Sequence, residues 1–125
     1  MLFRSRERIV RTAAVHGLRL LRADSDEVVS GLIEAVDDSA PGVRLPAITA
    51  LAQLGPKATA AVPTLSAAVK DADPKVRAEA ITALGAIGPA AVSAVPALRD
   101  ALRDTNPGVR ARVPLALKRI TGKTK

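Results

Sequence analysis

Residues 71–98 read DADPKVRAEAITALGAIGPAAVSAVPAL, and their spacing decides the fold. Val76, Ala80, Ile81, Leu84 and Ile87 recur at three- and four-residue steps, and Val95, Leu98, Ala101 and Leu102 do so further on, the period of helices with one apolar side. The first helix opens at Asp73-Pro74, where Asp can cap free amides and Pro occupies a position that needs no amide hydrogen. Gly88-Pro89 closes it, with Gly expected in the left-handed conformation and Pro unable to continue the helix. Pro96 falls near the start of the second helix, where a missing donor costs little. The stretch is therefore a helical hairpin whose apolar sides need neighbours to cover them.

The neighbours are in the same chain. A shift of 33 residues places 17 residues between Pro41 and Asp71 on identical residues between Pro74 and Asp104. Asp38, Asp71 and Asp104 align, as do Val10-Arg11, Val43-Arg44, Val76-Arg77 and Val109-Arg110. Residues 1–125 thus read as one domain: a degenerate repeat over 5–37, full repeats over 38–70 and 71–103, a half repeat over 104–122 without a second helix, and a tail at 123–125. Such units stack into a solenoid with a continuous core. Pro46 and Pro114 lie inside first helices, which predicts a kink or a lost hydrogen bond at each.

A period of 33 also suits ankyrin repeats, and 34 suits tetratricopeptide repeats, but Thr-Pro-Leu-His and the set Trp, Tyr and Phe positions are missing. The pattern Asp-x-x-Pro-x-Val-Arg-x-x-Ala-x-x-Ala-Leu-x-x-Ile-Gly-Pro followed by Ala-Val-Pro-x-Leu resembles short HEAT-like repeats of the phycobilisome-lyase type. The resemblance covers residues 8–122 and implies an all-α, right-handed α-solenoid of about three and a half two-helix repeats. It departs from the pattern at Ser5, which stands where Asp38 does, at Arg22-Ala23 in place of Gly55-Pro56, and at Pro114 in place of Ile48 and Ile81.

Composition narrows the chemistry. The 125 residues hold no Cys, Trp or Tyr, one Phe and one His. That removes disulfides, thiolate metal sites, cysteine nucleophiles and aromatic platforms for stacking bases. His16 alone has no partner set for a Ser-His-Asp arrangement with Ser30, Ser66 or Ser93. Asp37-Asp38 and Asp24-Ser25-Asp26-Glu27 lack the length and Gly of a calcium loop, and Gly55-Pro56-Lys57 lacks the ending of a phosphate loop. No catalytic residue, cofactor or metal is assigned, and the expectation is a chain that is not an enzyme.

The net charge of +7 is uneven: residues 1–22 hold six Arg and one Glu, residues 23–98 five basic and nine acidic groups, and residues 99–125 eight basic and two acidic. Arg19 and Arg22 interrupt any signal-peptide core, and no run is expected to approach the ~18 apolar residues of a membrane span. A cytoplasmic chain is expected; Glu7 and the repeat register argue against an Arg-rich presequence. The basic ends read either as polar caps of the stack or as a surface for nucleic acid.

Two sets of positions are singled out. Asp38, Asp71 and Asp104 each precede Arg44, Arg77 and Arg110 by six residues. They read either as a row of functional charges or as a structural ladder in which each turn Asp meets an Arg on the neighbouring first helix, as the resemblance implies. One such pair per unit favours stacking. The second helices are expected to line the concave side, presenting Ile33, Glu34 and Asp37, then Thr64, Ala67 and Lys70, then Arg99, Asp100 and Arg103. This ridge runs from acidic to basic and suits an extended peptide or a helix.

Three function classes follow. The first is a protein-interaction scaffold, alone or as the terminal part of a longer repeat protein. The others are an electrostatic nucleic-acid binder and, from the resemblance only, a subunit of a bilin-lyase-like enzyme. Self-association through the uncovered C-terminal edge is also expected.

Overall fold

The computed structural model describes residues 26–122. His16, Ser5, Arg22-Ala23, the first helix of the 5–37 repeat and the 123–125 tail lie outside the described residues. Among the described residues six α-helices follow one another: α1 (Asp26–Val36), α2 (Pro41–Leu54), α3 (Val62–Ala68), α4 (Pro74–Ile87), α5 (Val95–Asp100) and α6 (Pro107–Thr121). Tight 3-10 turns fill Gly55–Ala61, Gly88–Ala94 and Ala101–Arg103, and no strand occurs among the described residues. The molecule is an all-α solenoid: α2, α4 and α6 are first helices packed side by side, while α1, α3 and α5 form the second layer.

Local chemistry sets the helix starts. Asp73 Oδ1 accepts from the Lys75 amide at 2.9 Å ahead of Pro74. Asn106 does the same ahead of Pro107, accepting from the Gly108 and Val109 amides at 2.8 and 3.2 Å. Ala40, ahead of Pro41, offers no side-chain cap.

The helix ends differ from the sequence expectation. Gly55 (φ 59, ψ −131) and Gly88 (φ 83, ψ −147) have positive φ without lying in the left-handed helical basin. This extended, positive-φ region is open essentially to Gly alone, and it turns the chain sharply into the 3-10 segment. Gly122, after α6, does adopt the left-handed conformation (φ 73, ψ 9). Pro46 and Pro114 lie inside α2 and α6, each of which runs on as one helix through its proline.

One buried cluster runs through all the described repeats. Ile48 and Leu51 from α2, Leu65 from α3, Ile81, Leu84 and Ile87 from α4, and Leu98 from α5 are sealed from solvent. Alanines fill the spaces between them, with Ala47, Ala58, Ala61, Ala80, Ala83, Ala91 and Ala94 fully buried. Small side chains let the helices approach closely. A Cβ on Gly85 of α4 would sit 3.0 Å from the Ala116 Cα of α6.

The stretch Pro74–Arg103 contains an 18-residue window of mean hydropathy 1.7, long and apolar enough by composition to cross a membrane. The backbone breaks within it at Gly88, and half of that window is buried inside the protein. Its apolarity serves the core of a hairpin.

Candidate functional site

Repetition of one turn and one helix start builds the ladder. Oδ1 of Asp38, Asp71 and Asp104 accepts from the amide two residues on, at Ala40 (2.9 Å), Asp73 (2.8 Å) and Asn106 (2.9 Å). This local bond shapes the turn before each first helix. Six residues later an Arg reaches back. Arg44 Nη1 donates to the Asp38 and Ser39 carbonyls, Arg77 Nη1 to those of Asp71 and Ala72, and Arg110 Nη1 to that of Asp104 at 2.6 Å.

The other side of the Arg44 and Arg77 guanidinium groups points to the next repeat. Arg77 Nε and Nη2 donate to Asp104 Oδ2 and Oδ1 at 2.9 and 3.0 Å, a bidentate fork. Arg44 Nη2 donates to Asp71 Oδ1 at 3.2 Å. Its Nε lies 3.0 Å from Asp71 Oδ2, a charge contact without hydrogen-bond alignment, which leaves Nε buried and without a hydrogen bond. The side chains of both arginines are only 15% exposed. Arg77 thus draws the Asp104 carboxyl below the usual carboxylate range, mainly through its hydrogen bonds and then with help from the Asn106 amide, against desolvation that acts in the opposite direction.

A second polar strip crosses the outer side of the first helices. Arg112 Nη1 donates to Thr82 Oγ1 at 2.7 Å and to Glu79 Oε1 at 3.4 Å, while Thr49 Oγ1 donates to Glu79 Oε2 at 3.4 Å. Sequence reading missed this strip, because Glu79 stands in register with Pro46 and Arg112 and so breaks the repeat. The strip borders an open groove of about 460 Å3 with Leu45, Ala78 and Val109 in its floor.

On the second-helix side, Glu34, Asp37, Ala67, Lys70, Arg99, Asp100 and Arg103 are exposed, and Ile33 and Thr64 are half-buried. Asp37, Thr64 and Ala67 come together in a cleft of about 290 Å3, which also includes Asp38, Arg44 and Asp71 of the ladder. Arg99, Asp100 and Arg103 stand on α5 and the turn after it, apart from that cleft. Among the described residues no three His, Asp or Glu side chains converge as a metal cage would require. The surface offers ion pairing and helix faces.

The sequence model of HEAT repeats matches residues 1–71 and 62–125. No curated protein matches. Among solved structures, the chain is similar to a crystallised engineered protein, with a TM-score of 0.67 and 25% identity over 75% of this chain. It spans 45% of that protein's length. It is also similar to the complex of CpcE and CpcF of phycocyanin lyase from Nostoc sp. PCC7120, with a TM-score of 0.68 and 24% identity over 85% of this chain and 70% of the other. This second likeness is one of fold.

Proposed function

From the premise that the chain belongs to the HEAT repeats family, we propose a non-enzymatic protein-interaction scaffold whose partner lies along the exposed side of the second helices. The observation that carries this reading is positional. Glu34, Ala67 and Asp100, and likewise Asp37, Lys70 and Arg103, occupy the same place in successive repeats and are all exposed. Packed helices lie ~8–10 Å apart, and an extended chain advances ~3.3 Å per residue, so a peptide meets a new repeat about every third residue. Carboxylates at Glu34 and Asp37 give way to cations at Lys70, Arg99 and Arg103, which sets the direction of a peptide that is basic at one end and acidic at the other.

Selection of peptides from a random library on the full chain tests this. Enriched sequences are expected to pair basic and acidic ends about six residues apart, and to lose about tenfold in affinity when Arg99 and Arg103 are both changed to Glu. Selected peptides indifferent to that double reversal would refute the reading. Likeness to a phycocyanin lyase raises the alternative of a lyase-type subunit, for which an absorption spectrum is the direct check. A chain without Trp or Tyr is nearly transparent at 280 nm, so a visible band belongs to a bound pigment.

A further inference from the structure

The outer side of the first helices carries a row that stacking leaves open. Thr49, Thr82 and Leu115 share one register, as do Pro46, Glu79 and Arg112, and Gln53, Ala86 and Arg119. Thr82 is exposed and Glu79 half-buried although α6 is seated beside α4, so this side is not the one that a neighbouring unit covers. On α6 the row changes character. A leucine that is 55% exposed replaces the two threonines. Arg112 stands three residues before it and Arg119 four after, on one side of the helix.

The groove between α4 and α6 opens at this place. Thr82 and Gly85 of α4 line, with Arg112, Leu115 and Arg119 of α6, a cavity of about 310 Å3 whose charged groups are both cations. Arg112 also lines the groove of about 460 Å3 over Leu45, Ala78 and Val109, so the two hollows meet at its guanidinium. That group rests on Thr82 Oγ1 at 2.7 Å and more distantly on Glu79 Oε1 at 3.4 Å, through Nη1 in both cases. Its side chain is 46% exposed, and neither bond uses Nε or Nη2.

We propose that the α4–α6 groove docks an acidic helix of a partner protein, with aliphatic side chains against Leu115 and carboxylates on Arg112 and Arg119. Spacing selects a helix. The two cations are seven residues apart on α6, about 10 Å or two turns, and a helix laid along the groove meets them with acids at its own i and i+7 while i+3 and i+4 lie over Leu115. Charge selects the sign, because two guanidinium groups covered by a partner need carboxylates to offset their lost water. Arg112 keeps the paired donors that a carboxylate accepts from in a fork. Single exposed leucines are ordinary; this one lies in a cavity, between two cations, at a register where both other described repeats carry Thr. A phosphate backbone fits less well, since an aliphatic group occupies the middle of the cation pair.

The groove lies on the first-helix side, away from the second-helix surface of the proposed function, so the two readings can fail independently. The probe is a fluorescent, alanine-rich peptide of about 14 residues, four turns, with Glu at i and i+7 and Leu at i+3 and i+4. A control of the same composition has these residues shuffled. Anisotropy with the full chain at about 0.15 M salt is expected to show saturable binding of the patterned peptide, about tenfold weaker for the control. Leu115→Thr and Arg119→Ala install the residues that the preceding repeat has in the same register, and an unaltered circular dichroism spectrum verifies that each variant is folded. Each is expected to weaken binding by a similar factor. The double reversal Arg99→Glu with Arg103→Glu is expected to leave it unchanged.

No saturable binding, equal binding of the two peptides, or binding unaffected by Leu115→Thr would overturn the proposal. A 20-base-pair DNA duplex that displaces the peptide and binds Leu115→Thr as well as the parent would give the cations to phosphates instead. A concentration-dependent dimer in sedimentation equilibrium that Leu115→Thr abolishes would give the groove to a second copy. Loss through the Arg99 and Arg103 reversal alone would move the peptide to the second-helix side, ending this proposal and leaving the proposed function standing.

Discussion

Asp104 serves two repeats with one side chain. Its Oδ1 holds the turn into α6 through the Asn106 amide, and both of its oxygens accept from Arg77 of the repeat before. Losing a hydrogen-bonded, largely buried charge pair of this kind costs about 1–3 kcal/mol, which is the expected loss for Asp104→Asn in urea unfolding followed by circular dichroism. The carboxyl titrates below its ordinary value in the folded chain, so the unfolded chain binds more protons and stability rises with pH. The contribution is complete above the unfolded value of about 4 and is lost as pH falls below it through the folded value. Unfolding curves collected from pH 6 down to pH 2 should show this slope in the parent and a shallower one in Asp104→Asn. The spacing of Asp and Arg was legible in the sequence because it recurs with the period. The bridge between Glu79, Thr82 and Arg112 was not, because it joins positions that differ from repeat to repeat and becomes visible only when α4 and α6 lie side by side.

Within the elements, punctuation residues were the readable part. Asp73-Pro74 and Gly88-Pro89 mark the bounds of α4, since each has a backbone reason to stand there. What they leave out is the 3-10 path of Gly88–Ala94, in which Ala91 departs from helical geometry (φ −91, ψ 17); a run of small residues has no apolar period to reveal such a path. Gly88→Ala separates conformation from packing, because a Cβ there meets nothing closer than the Arg119 carbonyl at 4.0 Å. Its expected cost is therefore the strain of positive φ, about 1–3 kcal/mol, read as a lower midpoint in thermal denaturation. Pro114→Ala should act in the opposite direction. The proline lies inside α6 and denies the Arg110 carbonyl its helical donor, a penalty of up to about 3 kcal/mol, so a higher Tm is expected. A Tm unchanged or lower would mean that α6 is shaped around its proline.

Across the whole molecule, stability is a sum of units and of the interfaces between neighbours. Gly85 of α4 meets Ala116 of α6 at close approach, and α6 contributes Val109, Val113, Ala116 and Ile120 to the common core. Truncation after Arg103 would strip that cover from α4, and removal of several buried aliphatic groups at ~2–5 kcal/mol each exceeds the margin of a chain this small. The expected outcome is loss of cooperative melting, or aggregation, rather than a shorter stable stack. The overall architecture was legible from the 33-residue period together with the helical apolar spacing inside each unit. The half repeat at 104–122 already pointed to an uncovered edge; that Leu102 is exposed where Val69 in the same register is buried was not legible, since sequence register marks a position as core and only the packing shows how far it is covered.

The ladder also has a direction. Each interior arginine grips its own turn with one edge and the following turn with the other, so a segment running from one aspartate to the residue before the next carries one complete donor and one complete acceptor. Such a segment is a self-consistent splice unit. A tandem copy of residues 71–103 inserted after Arg103 would find its acceptor already in place and supply one in turn, with no side chain to redesign. A copy three residues shorter would put the arginines out of step with the aspartates. A chain with this grammar can lengthen by duplication of its own coding segment, one register-true copy at a time.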